Sequence, residues 1–98
     1  MALAEKYVIL FQKECSNLSY IVLNNLIRLK INPRNTDAIE QMLQAADTMI
    51  GDSRFIKNKE LEQASILLVQ TFKDVQDVSQ KHKEIEFFKE IFTKIINC

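Results

Sequence analysis

A single glycine and a single proline interrupt the 98 residues of this chain, so the sequence offers few places for tight turns. No segment alternates apolar and polar residues in the way that is typical of a half-buried strand. Apolar residues instead recur three and four positions apart, the spacing that places side chains on one face of a helix. The sequence therefore predicts an all-α protein.

The periodic segments predict four helices, over about residues 3–30, 35–56, 58–75 and 81–96. Pro33 stops the first helix, because proline restricts the residue before it and cannot donate a backbone hydrogen bond. Asn35 or Thr36 can cap the second helix, and Asn58 can cap the third.

Short connections between long helices favour antiparallel neighbours, so we expect an antiparallel up-down-up-down four-helix bundle. Residues 1–98 are enough for one domain with one hydrophobic core. The predicted core positions lie at helical spacing and are Phe11, Cys15, Leu18, Val22, Leu26 and Leu29; Ile39, Met42, Ala46, Met49 and Ser53; Leu61, Ala64, Leu68, Phe72 and Val75; and Ile85, Phe88, Ile91, Phe92 and Ile95.

Composition argues against several classes of function. Thirteen acidic residues balance thirteen basic ones, which leaves no basic surplus for nucleic acid. The uncharged stretch 15–27 is too short and too polar to span a bilayer, and Glu5 and Lys6 interrupt any signal peptide. Cys15 and Cys98, with one histidine in the chain, predict no disulfide, no metal site and no cofactor. A cytoplasmic protein is expected.

The one glycine, Gly51, falls inside the second predicted helix, where it costs roughly 1 kcal/mol relative to alanine. The usual reason for keeping such a glycine is the close approach of another group to the backbone. At 100° per residue, the outward face of this helix carries Glu40, Gln44, Asp47, Gly51 and Arg54, with Leu43 and Ile50 at its border.

The stretch LQAADTMIGDSRF, residues 43–55, resembles the signature of histidine-containing phosphotransfer (HPt) domains. It is most similar to the N-terminal phosphotransfer domain of chemotaxis-type histidine kinases, and residues 7–15, 32–35 and 59–62 resemble other parts of the same family. The resemblance implies an HPt-like bundle with its signature on the second helix. Its partners would be a response-regulator receiver domain or a histidine kinase.

Two departures from the family pattern bear on activity. Asp47 stands where the family has its phosphate-accepting histidine, and Ile50 stands where it has a lysine. Imidazole is a competent nucleophile towards phosphorus at neutral pH, whereas aspartate accepts phosphate only where a metal ion and a lysine neutralise the charge. Asp52 is expected to add like charge near Asp47. We therefore predict a degenerate, non-enzymatic HPt domain with no catalytic residue.

If a receiver docks, the resemblance implies contacts with Gln44, Asp47, Ile50, Gly51 and Arg54. Such a domain can be the N-terminal piece of a longer kinase, which is the expectation for this chain. One alternative is a structural helical module that forms a homodimer through spare apolar residues, among them one of Phe87 and Phe88. Another is phosphotransfer through His82, at the junction of the third and fourth predicted helices, where a solvated loop histidine is the simpler interpretation.

Overall fold

The computed structural model describes residues 3–97, which form four α-helices and no strand. The predicted all-α class is therefore confirmed for the described part of the chain. The helices are α1 (Leu3–Ile31), α2 (Thr36–Phe55), α3 (Lys59–Phe72) and α4 (His82–Ile96).

Asparagine side chains begin two of the helices. The Asn35 side-chain oxygen accepts a hydrogen bond of 3.1 Å from the backbone N–H of Ala38, so Asn35 and not Thr36 is the cap of α2. Asn58 does the same for α3, accepting from the N–H of Leu61 at 3.1 Å. Each cap satisfies one donor that the first turn of a helix leaves without a partner.

The end of α3 was predicted wrongly. Apolar spacing suggested a helix to Val75, but α3 ends at Phe72 and Lys73 caps it, with the Lys73 N–H bonded to the Val69 carbonyl at 2.8 Å. Asp74 then takes a positive φ of 61°, which a continuing right-handed helix does not allow. Val75 keeps its apolar contact with the core from outside the helix.

The connection from α3 to α4, residues 73–81, closes one end of the bundle and is longer than the sequence indicated. Val78 is buried there, and its backbone N–H donates to the Pro33 carbonyl at 2.9 Å. Arg34 and Asp77 form an ion pair at 3.1 Å across the same contact. The connection thus packs onto the turn between α1 and α2.

The helices pack in the cyclic order expected of an up-down-up-down bundle. Within residues 3–97, α1 lies beside α2 and α4, α3 lies beside the same two helices, and the Cα atoms of the diagonal pairs stay more than 8 Å apart. The buried core draws on all four helices and comprises Cys15, Val22, Leu26, Leu29, Ala38, Ile39, Met42, Ala45, Ala46, Met49, Leu61, Ala64, Leu68, Phe72, Val78, Ile85, Phe88 and Phe92. Phe11, Leu18, Ile91 and Ile95, which were predicted for the core, are only partly buried.

The described helices also test the membrane prediction. At 29 residues α1 is the longest of them. None of the four is both long enough and apolar enough to cross a bilayer.

Candidate functional site

The outward face of α2 has the arrangement that the helical wheel predicted. Gln44, Asp47, Gly51 and Arg54 are exposed, and Ile50 is half-buried at the border with the core. The five residues occupy successive turns of one helix, so α2 alone positions them. Gln44 also lines a shallow groove of about 360 Å³ between α1 and α2, beside Leu18, Ile21 and Thr48.

Nothing in residues 3–97 packs against the position of the missing Gly51 side chain. A Cβ atom built on it would meet nothing within 4 Å, so no neighbouring helix requires the missing side chain. Its backbone is ordinary α-helix, and its φ is not positive, so no special conformation requires glycine either. The propensity cost of this glycine is therefore not offset by any contact within the described protein.

Replacing Gly51 by alanine is expected to raise the free energy of unfolding by about 0.5–1 kcal/mol, because alanine favours the helical backbone and the added methyl group enters open space. Urea unfolding of the two proteins, followed by far-UV circular dichroism, measures the difference. A loss of stability in the alanine variant would contradict this and show that the chain itself needs glycine at this position.

Asp47 displays a free carboxylate on this face. None of the hydrogen bonds or ion pairs formed within residues 3–97 involves its side chain. The neighbouring Thr48 hydroxyl donates instead to the backbone carbonyl of Gln44 at 3.2 Å. Ile50, one turn after Asp47, places a half-buried apolar side chain beside it and supplies no charge.

Arg54, the single basic residue of α2, is already engaged with α3. Its Nε donates to a carboxylate oxygen of Glu62 at 2.6 Å, and Glu62 is the less exposed partner. Glu62 was not among the predicted site residues. It follows Arg54 by eight positions, across the tight turn between two antiparallel helices, and that spacing is compatible with an ion pair. The ion pair fixes Arg54 at the end of the face, about two turns from Asp47.

Asp52 does not lie beside Asp47 on the outward face of α2, as the sequence suggested. It is only 9% exposed and faces α1, five residues and about 140° around the helix from Asp47. Burial raises the pKa of Asp52 to about 7, and the hydrogen bond with Glu14 of α1 and the charge of that residue act in the same direction. One Asp52 oxygen, Oδ2, is buried without a partner. Asp52 therefore belongs to the contact between α1 and α2.

Cys15 lies on the inner side of the same contact and confirms its prediction as a core residue, with 4% exposure. Burial raises the pKa of its thiol to about 11, and the charges of Asp52 and Glu14 act in the same direction. Burial and the raised pKa both favour the neutral thiol over the reactive thiolate at neutral pH. Cys98 lies outside the described residues.

His82 does not lie in a loop, since it is the first residue of α4, where it is exposed. Its helix begins after Lys81, which provides no side-chain cap. No group of three or more histidine, cysteine, aspartate and glutamate side chains within residues 3–97 is arranged to hold a metal ion.

Comparison of the chain with protein-family models, with curated proteins and with solved structures finds no match.

Proposed function

We propose that this protein is a degenerate HPt domain that docks a response-regulator receiver domain or a histidine kinase through α2 without accepting a phosphoryl group. The observation that carries the proposal is Gly51, a helix-weakening residue with open space above it and an exposed, unpaired carboxylate one turn away. Neither the glycine nor the unpaired carboxylate stabilises the described protein. A partner that approaches the backbone at Gly51 and contacts Asp47 would account for both.

The chemistry of the face supports docking more than transfer. Asp47 lacks the imidazole nucleophile, Ile50 lacks the ammonium group, and Arg54 is paired with Glu62. If Asp47 accepted a phosphoryl group, α2 would supply no free cation to neutralise the negative charge of the transition state. Neutralisation of that charge is a large part of phosphoryl-transfer catalysis. A permanent carboxylate instead gives the face part of the charge of a phosphorylated residue.

Replacing Gly51 by arginine is expected to weaken binding to a receiver domain by at least about 100-fold, because the long side chain occupies the space that the partner backbone needs. Isothermal titration of a purified receiver domain of a chemotaxis-type response regulator measures the affinity. The helix content should stay unchanged, since the substituted position is open.

The matched control places arginine at Gln63, which is exposed and borders α4 instead of α2. Binding should be unaffected there, since the added charge is the same and only the surface differs. Equal affinity of the wild-type protein and the Gly51→Arg variant would contradict docking through α2.

Incubation with an acetyl-phosphate-charged receiver or a histidine kinase tests the absence of transfer. We expect no labelled phosphate on the wild-type chain. An acid-labile phosphate that is lost in His82→Gln would overturn the proposal and assign transfer to His82.

A further inference from the structure

The outer face of α1 has an unusual composition for a surface that meets water. No residue from 15 to 27 carries a charge, although this stretch covers more than three turns of helix. Six of its side chains are exposed: Ser16, Asn17, Tyr20, Ile21, Asn24 and Ile27. Tyr20 is 52% exposed and Ile27 47%, and Ile31 continues the same face at 82%.

The other three helices present charges where they face water. Exposed charged side chains include Glu40 and Asp47 on α2, Lys59 and Glu60 on α3, and Lys83, Glu90 and Lys94 on α4. Depletion of charge with retention of tyrosine and aliphatic residues distinguishes the centre of a protein interface from the rest of a protein surface. Mixed apolar and uncharged polar residues on α1 match that description.

The two ends of this uncharged stretch carry opposite charges. Glu14 precedes it and Arg28 follows it, and both are exposed. They lie on the edge of the face that borders α2, since Glu14 adjoins Asp52 and Arg28 bonds the Gln41 side chain of α2. Fourteen residues separate them, about 21 Å along the helix, and residue 21 lies midway.

We propose that this face joins two copies of the chain into a symmetric dimer, in which the two α1 helices pack antiparallel about a two-fold axis near residue 21. A two-fold axis places equivalent edges of the two helices together. Glu14 of each copy then lies opposite Arg28 of the other, and the two Tyr20 side chains meet near the centre. No charged side chain of the stretch needs to be buried.

The apolar area is sufficient for such a dimer. The exposed parts of Tyr20, Ile21, Ile27 and Ile31 amount together to about 440 Å² per copy, at roughly 200 Å² for a fully exposed residue of this size. A standard interface buries about 800 Å² per partner, of which about 60% is apolar. The dimer is inferred from residues of α1 alone, so this inference does not depend on the proposed docking function.

Sedimentation velocity from about 1 µM to about 500 µM tests the dimer, for which we expect a dissociation constant of about 1–100 µM. The double variant Tyr20→Lys, Ile27→Lys should raise that constant at least about 100-fold, because it buries four ammonium groups. Gln63→Lys with Gln70→Lys adds the same charge on exposed positions of α3 and should leave association unchanged. A wild-type monomer throughout, or equal effects of the two double variants, would overturn the proposal.

Charge reversal tests the antiparallel register. Glu14→Arg alone and Arg28→Glu alone should each weaken association by about tenfold, because each places like charges opposite one another. Both changes together should restore association to within about threefold of the wild type. Failure of the combined variant to recover would contradict this register, and circular dichroism of every variant checks that the fold is kept.

Discussion

Replacing Phe88 by alanine is expected to lower the free energy of unfolding by about 3–5 kcal/mol, the largest effect of any single substitution proposed for this protein. Phe88 is 1% exposed and lies in the core between α3 and α4, with its ring centroid 5.9 Å from that of Phe72. Truncation leaves a cavity that the surrounding rings fill only in part. A domain of this size has about 5–15 kcal/mol of stability in total, so the loss is a large share of it.

The adjacent Phe87 provides a matched control. It has the same side chain on the same helix, but it is 48% exposed. Alanine at Phe87 should cost less than about 1 kcal/mol, because much of the ring already meets water. Thermal and urea unfolding of the two variants give the comparison. Similar losses of stability at both positions would contradict the burial of Phe88 and the exposure of Phe87.

Replacing Asp52 by asparagine is expected to raise the free energy of unfolding at pH 8 by about 1–3 kcal/mol, because a buried carboxylate beside the charge of Glu14 is replaced by a neutral amide that can donate to Glu14. The same substitution should flatten the pH dependence of stability. The pKa of Asp52 is about 7 in the folded protein against 3.8 for the free group. The folded state therefore binds the proton more tightly between these values.

The direction of the pH effect follows from that difference. Stability from the protonated Asp52 is fully present below about pH 4 and is lost as the pH rises through about 7. Urea titrations between about pH 5.5 and 8.5 should show a falling free energy of unfolding for the wild-type protein and a smaller fall for Asp52→Asn. Asp47→Asn removes an exposed carboxylate from the same helix and should keep the wild-type slope. If the stability of Asp52→Asn fell with pH as steeply as that of the wild-type protein, Asp52 would not be the group responsible for the pH dependence.

Much of the α2 face could be predicted from the sequence, because a helical wheel depends only on the constant angle between successive residues. The exposure of Asp47, Gly51 and Arg54 and the border position of Ile50 are local consequences of that angle. The burial of Asp52 against α1 was not predicted, because its charge was counted with that of Asp47. Its partner on α1, Glu14, is 38 positions away along the chain and could not be identified from spacing.

The end of α3 shows the opposite case. The apolar residues Val75 and Val78 continue the core, so hydrophobic spacing alone extended the helix to include Val75. The backbone turns at Asp74 instead, and Val78 bonds the Pro33 carbonyl from a connection that closes the bundle. Periodicity reports which residues are buried, and it does not separate a helix from an irregular segment that buries the same side chains.

The sequence by itself determined the helical class, the number of helices, the Asn58 cap of α3 and the outward face of α2, since each depends on residues within one helix or turn. Only the tertiary structure decided that Arg54 pairs with Glu62, that Asp52 is buried against Glu14, and that nothing in the described chain approaches Gly51. These are contacts between helices, or their absence, and they depend on how far each helix is rotated and shifted against its neighbours.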